Sequence, residues 1–227
     1  MPRVFIGVGH GGPDGGASAY GLVEKILTLN TALACKDMLE KHGVQVGMSR
    51  SCDENDTISQ EVQECNSYKP DVAVEIHYNA GGGDGCEIYR YRGGGNSLKV
   101  AEKVETRLLQ AGQNSRGIKV KLGNDGLDYY MWIRETKAPA ILIEVGFVDN
   151  TNDNQLFNTV EKQQKLGQAI AYGILDYFNI PIINDNRINI SNSTKLYRVQ
   201  VGAFKNKENA QKLSNELKSK GYNTIII

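Results

Sequence analysis

The chain is predicted to be α/β, with a mostly parallel central sheet flanked by helices and followed by an incomplete βαβ C-terminal unit. Two observations predict this. Up to about residue 180, strand-like apolar runs alternate with segments of helical period, the pattern of βαβ units. The run Ala140 to Phe147 is also nearly all apolar, as expected for a central strand buried on both faces.

Val4 to Gly9 is the first expected strand, and it breaks into a glycine-rich loop from His10 to Gly21. Leu22, Ile26, Leu29 and Leu33 recur at spacings of three and four, so Leu22 to His42 reads as a helix stopped by Gly43. Val44 to Met48 is a second strand, Thr57 to Tyr68 a second helix ended by Pro70, and Asp71 to Tyr78 a third strand. After the turn Gly81 to Gly85, Cys86 to Tyr91 alternates as a strand, and Ser97 to Ala111 carries a helical stripe of Leu98, Ala101, Val104 and Leu108. Ile118 to Leu122 and Tyr130 to Ile133 are short elements. Asn150 to Asn179 is one or two helices, with Leu166, Ile170, Ile174 and Tyr177 in register.

Three segments follow: a first domain over 1–180, a linker over 181–195 without either period, and a tail over 196–227. In the tail, Tyr197 to Phe204 alternates, Lys207 to Lys220 has a helical stripe, and Tyr222 to Ile227 begins a strand. A unit below about 40 residues seldom folds unaided, so the chain is expected to stop inside a domain.

The 227 residues include 26 basic and 26 acidic side chains and a formal charge of zero, which argues against nucleic-acid or anionic-membrane partners. No apolar leader follows Met1-Pro2-Arg3, so synthesis in the cytoplasm without a Sec-type signal is expected. Cys35, Cys52, Cys65 and Cys86 form no CxxC pair and are read as reduced thiols.

Chemistry is concentrated at strand ends. His10 and His77 both lie at the far ends of expected parallel strands, where open α/β sheets bind ligands, and Glu24 opens the helix on the same side. Individually, His77 can be a core histidine and Glu24 a helix-dipole residue. Together they make the His₂Glu set of a catalytic zinc site. His42, at a helix end, is read as a dipole-favoured cation.

Glu144 interrupts the apolar run 140–147, where a carboxylate is costly unless it is paired, bound to a metal or used in chemistry. It is read as a general base beside a zinc-bound water, against the alternative of a salt-bridged core glutamate. Glu75 and Asn79 face the same side of their strand as His77, and Glu75 is a candidate to orient that ligand. Arg134 is a candidate partner for a peptide carboxylate or a structural ion pair, and Tyr130 and Trp132 are candidate groove walls. Gly7 to Gly12 also matches GxGxxG, with Arg50 as a possible NADP-selecting residue. However, the helix begins only near Leu22, which makes that match accidental.

These residues resemble a family. Gly9-His10-Gly11-Gly12, Glu24-Lys25, Glu75-Ile76-His77-Tyr78-Asn79 and Pro139 to Phe147 with Asn150 stand in the order of the signatures of zinc-dependent N-acetylmuramoyl-L-alanine amidases. The resemblance covers about residues 1 to 180. It implies one catalytic Zn²⁺ on His10, Glu24 and His77, with Glu144 as catalytic residue. It also implies hydrolysis of the peptidoglycan amide between N-acetylmuramic acid and L-alanine by a monomer released through a holin or by mother-cell lysis. The family usually has Asp-Pro where this chain has Gly7-Val8, and a small residue such as Ser where it has Glu75. The alternatives are a silent wall-binding platform and a zinc peptidase of the stem peptide.

Tyr197 to Phe204, Ala210, Leu213, Leu217 and Gly221-Tyr222 are similar to the first half of a SPOR domain, a peptidoglycan-binding module. Strand alternation places Arg198 and Gln200 on the outer face, where a sugar chain can lie.

Overall fold

The computed structural model describes residues 1–54, 56–183 and 206–219, and the chain divides into two compact units, Met1–Ile183 and Asn184–Ile227. In the first unit, β1 (Arg3–Val8) is followed by a two-residue hairpin of β2 (Ser18–Ala19) and β3 (Leu22–Val23). Then come α1 (Glu24–Lys41), β4 (Gln45–Met48), α2 (Ile58–Tyr68), β5 (Val72–Asn79), β6 (Cys86–Arg90) and α3 (Asn96–Gln110). Next are β7 (Ser115–Lys119), α4 (Met131–Glu135), β8 (Ala140–Phe147), α5 (Thr151–Phe157) and α6 (Val160–Tyr177).

The sheet has the order β4-β1-β5-β8-β6-β7. Only the β6–β8 pairing is antiparallel; β1–β4, β1–β5, β5–β8 and β6–β7 are parallel. The mixed, mostly parallel sheet is the one the alternation of elements predicts.

Alternation along the strands sorts the two faces. Val4, Ile6, Val74, Ile76, Ile141 and Ile143 share a core with Leu27 of α1, Val104 of α3 and Ile170 of α6. Phe5, Ala73, Ala140 and Leu142 point the other way, against Val62 and Cys65 of α2 and Trp132 and Ile133 of α4. The second face is covered by short elements, and there the cleft opens.

Local chemistry sets the ends. Thr57 and Gln60 form a reciprocal capping box on α2, which therefore begins one residue later than the sequence suggests. Thr159 caps α6 and Asn150 caps α5, dividing the 150–179 stretch in two. The first helix starts at Glu24 because Leu22 and Val23 pair with the Ser18–Ala19 strand. The short expected element at 118–122 lies earlier, as β7.

His42 is the C-cap residue of α1, and both of its ring nitrogens are engaged. Its Nε2 accepts the Ile183 amide at 3.1 Å, which leaves the proton on Nδ1 for the Met38 carbonyl at 2.8 Å. The first residues of the expected linker are thereby docked on the first unit. All four cysteines are free thiols, with Cys35, Cys65 and Cys86 buried and Cys52 exposed.

In the second unit, α7 (Lys207–Ser219) falls where the helical stripe predicts it. The flanking expected strands, with Arg198 and Gln200, lie outside the described residues.

Candidate metal centre and cleft

The far ends of β1, β5 and β8 converge on three donors. One ligand atom each from His10, Glu24 and His77 lies within 4.8 Å of the others, the only such cluster among the described residues. Glu24 Oε1 sits 3.2 Å from His10 Nε2 and 3.2 Å from His77 Nδ1. The same oxygen accepts the Tyr78 amide at 2.9 Å, and Oε2 accepts the Ala17 amide at 2.8 Å, so the carboxylate has one allowed pose.

Each imidazole has a carboxylate beside its other nitrogen. His10 Nδ1 meets Asp14 Oδ2 at 2.9 Å, and His77 Nε2 lies 3.7 Å from Glu75 Oε1. The Asp14 bond favours a proton on His10 Nδ1 and leaves Nε2 free to ligate. Glu75 therefore lies beside His77, on the side that its spacing of two residues along β5 suggests. Asp14 is the partner that sequence reasoning missed; its only signal was an acid four residues beyond His10 in a glycine loop. Replacing it by Asn removes the charge that fixes the His10 tautomer. D14N is expected to bind zinc about 10 to 100 times more weakly in a competitive chelator titration.

Backbone geometry at the glycine break explains the local composition. His10 itself has φ 61°. A Cβ on Gly9 would sit 2.3 Å from His77 Cε1, and one on Gly16 would sit 2.5 Å from Glu24 Oε2. A side chain at either position would collide with the His77 ring or the Glu24 carboxylate, which leaves room only for glycine. The loop is also braced from below by Arg50, which is 2% exposed. Its guanidinium donates to the carbonyls of Val8, Gly9, Lys25 and Cys52 and to Thr28 Oγ1. These bonds give Arg50 a structural role in place of the dinucleotide one.

The electrostatics favour a cation. Burial pushes the Glu24 carboxyl up, but hydrogen bonds from His10 and His77 outweigh it and hold it at about 2. The hydrogen bond to Glu24 raises His10 against the effect of burial. Burial lowers His77, but Glu24 and Glu75 raise it well above its ordinary value. A field that holds protons on these nitrogens also attracts a divalent ion, which displaces them.

A cleft of about 370 Å³ opens beside the cluster, lined by His10, His77, Glu75 and Glu144 and walled by Tyr130, Met131 and Trp132. That volume admits part of a polymer and leaves the rest outside. Glu144 stands opposite His77 in the β5–β8 register and opposite Glu87 in the β6–β8 register. Its Oε2 is buried and makes no hydrogen bond, and burial, against the opposing charge of His77, pushes its carboxyl up to about 7. No ion pair holds the Glu144 carboxylate among the described residues, and it lies at the cleft.

Other candidates are elsewhere. Asn79 Nδ2 contacts Glu87 Oε2 at 3.4 Å, and Asn79 does not line the cleft. Arg134 is also absent from the lining: its guanidinium binds Glu135 and the carbonyls of Asp128 and Tyr129, the structural alternative. Trp132 is fully buried and donates to the Ile141 carbonyl, with only its ring edge on the cleft. Glu61 of α2 also lines the cleft, and no sequence signal had marked it.

Comparison with known proteins gives concordant results. The profile of the Amidase_3 family, described as N-acetylmuramoyl-L-alanine amidase, matches residues 4–176, and that of the SPOR domain matches 177–227. The chain is 37% identical to N-acetylmuramoyl-L-alanine amidase CwlM of Bacillus licheniformis, covering 100% of this chain and 85% of that protein. It is 34% identical to the sporulation-specific N-acetylmuramoyl-L-alanine amidase of Bacillus subtilis, with the same coverage of both. Among solved structures, the catalytic domain of the amidase CwlV from Bacillus (Paenibacillus) polymyxa var. colistinus superposes with a TM-score of 0.71 at 31% identity, covering 80% of this chain and 100% of that one.

Proposed function

The chain belongs to the N-acetylmuramoyl-L-alanine amidase family, hydrolases that cut the amide between N-acetylmuramic acid and L-alanine in peptidoglycan, and we propose that His10, Glu24, His77 and Glu144 carry that reaction here. The observation that supports this assignment is the convergence of two imidazoles and a carboxylate within 4.8 Å, with His10 hydrogen-bonded to Asp14 and Glu75 3.7 Å from His77. That donor set fits zinc, which in three-ligand catalytic sites leaves a position open.

The chemistry that a zinc ion would supply there is polarisation of the amide carbonyl and a pKa for water lowered toward about 7. His10, His77 and Glu24 would hold the ion. Glu144 takes the proton of the attacking water and returns it to the alanine nitrogen as the C–N bond breaks. Its unpartnered Oε2 is free to do so. Tyr130 and Met131 shape the wall along which the substrate lies.

The domain division is proposed as catalytic over 1–180, linking over 181–195 and SPOR-like over 196–227, the last holding glycan through Arg198 and Gln200. One chain supplies every group named, so a monomer suffices. No helix among the described residues is long and apolar enough to cross a membrane. We place the enzyme on the wall after release by a holin or by mother-cell lysis.

The test is digestion of purified peptidoglycan followed by end-group analysis. New L-alanine amino termini without new reducing sugars, abolished by chelation and restored by zinc, are expected. Amino termini of another stem residue would instead identify a peptidase. Unchanged end groups with metal-loaded protein would leave only wall binding.

A further inference from the structure

One carboxyl in the cleft wall has no part in the metal cluster or in proton transfer. Glu61, in the first turn of α2, is 6% exposed, and its Oε2 is buried without a hydrogen-bond partner. It shares the cleft lining with Asp14, Asp56, Glu75 and Glu144, and no Lys or Arg is among the described residues that line it. Arg50 contributes charge from nearby, but its guanidinium is committed to the backbone carbonyls around the His10 loop. Counting Glu24, six carboxyl groups therefore surround a site whose metal supplies two positive charges. Burial, and then the charge of Glu75, pushes Glu61 up to about 8, against the weaker opposing charges of His77 and Arg50.

We propose that Glu61, with the carboxylates beside it, forms an ammonium subsite that holds a primary amine of the stem peptide next to the scissile amide. This rests on the amidase reading and adds a substrate feature to it. A second metal is not favoured, since the one donor cluster of metal-binding geometry among the described residues is His10, Glu24 and His77. A sugar hydroxyl or amide N–H would satisfy one acceptor and leave the charge uncompensated, whereas an ammonium brings three donors and a positive charge. The stem peptide offers two such groups: the side-chain amine of a diamino residue, and the α-amine of alanine that hydrolysis creates.

The experiment is calorimetric binding of the released stem peptide to zinc-loaded protein in three forms: both amines free, the α-amine acetylated, and the side-chain amine acetylated. Acetylating the amine that occupies the subsite is expected to weaken wild-type binding about tenfold, or ~1.4 kcal/mol. Whichever acetylation is felt identifies the source. Glu61→Gln, isosteric but uncharged, is expected to bind all three forms alike, and Glu61→Asp to recover part of the preference. Equal binding of the three peptides by the wild type, no binding of any, or a tenfold preference surviving in E61Q would overturn the proposal. The wild-type comparison decides even where the variants do not fold. End-group analysis of the same preparation separates the two readings. Absent alanine termini count against the amidase assignment, while an active enzyme indifferent to acetylation counts against the subsite alone.

Discussion

Glu144→Gln is expected to lose turnover by about 10³ to 10⁴-fold while keeping its zinc. General acid–base catalysis by a placed side chain is worth about 10² to 10⁴, and this carboxyl serves at both proton transfers, so the upper part of that range applies. The amide side chain is the same size, so the β8 packing around Ile143 and Val145 should be undisturbed. Glu144 is not one of the three clustered donors, so metal content should not change. Atomic absorption of the purified variant, read beside its rate on peptidoglycan, separates the two effects. A fully active E144Q would transfer the role to Glu75, the other carboxyl beside His77 in the cleft.

Glu24→Gln should fail in the opposite way, losing the metal first and activity as a result. Glu24 Oε1 is the point where His10 and His77 meet, at 3.2 Å from each. Gln keeps the length and an acceptor for the Ala17 or Tyr78 amide, but not the charge that offsets a divalent ion. Without the ion the reaction loses several kcal/mol of transition-state stabilisation, about 10³-fold or more. Excess zinc should recover part of this, whereas it should do nothing for E144Q. An E24Q protein with full zinc occupancy and normal rate would remove Glu24 from the ligand set.

How much of this was legible beforehand depended on whether the signal was local. β8 runs from Ala140 to Phe147, the bounds of its apolar run, because burial on both faces writes itself into every residue. The antiparallel seating of β6 against β8 left no mark in its composition, since direction is decided by partners rather than by residues. Likewise the β2–β3 hairpin is only two residue pairs, too short to show a period. His10 and Glu144 stand out locally, a histidine among glycines and a carboxylate within an apolar strand, whereas Glu24 and His77 become candidates only jointly with His10, through the shared end of the sheet. Asp14 and Arg50 look like ordinary loop residues until the fold brings their partners to them. Glu61 reads as a solvated helix position, and only the short cover of the sheet on that face turns it inward.

The brace formed by Arg50 also sets an order of events. Its bonds to Val8 and Gly9 span 42 and 41 positions of sequence, and those to Lys25 and Thr28 span 25 and 22. The His10 loop therefore cannot take its final shape while the chain is still local. It must wait until β4 has docked beside β1 with α1 between them in sequence, a non-local closure of the slow kind. His77 and Glu144 arrive later still along the chain. On the proposed assignment, a polypeptide that ends before Glu144 can carry His10, Glu24 and His77 but lacks the proton-transfer carboxyl, and is expected to leave the wall uncut.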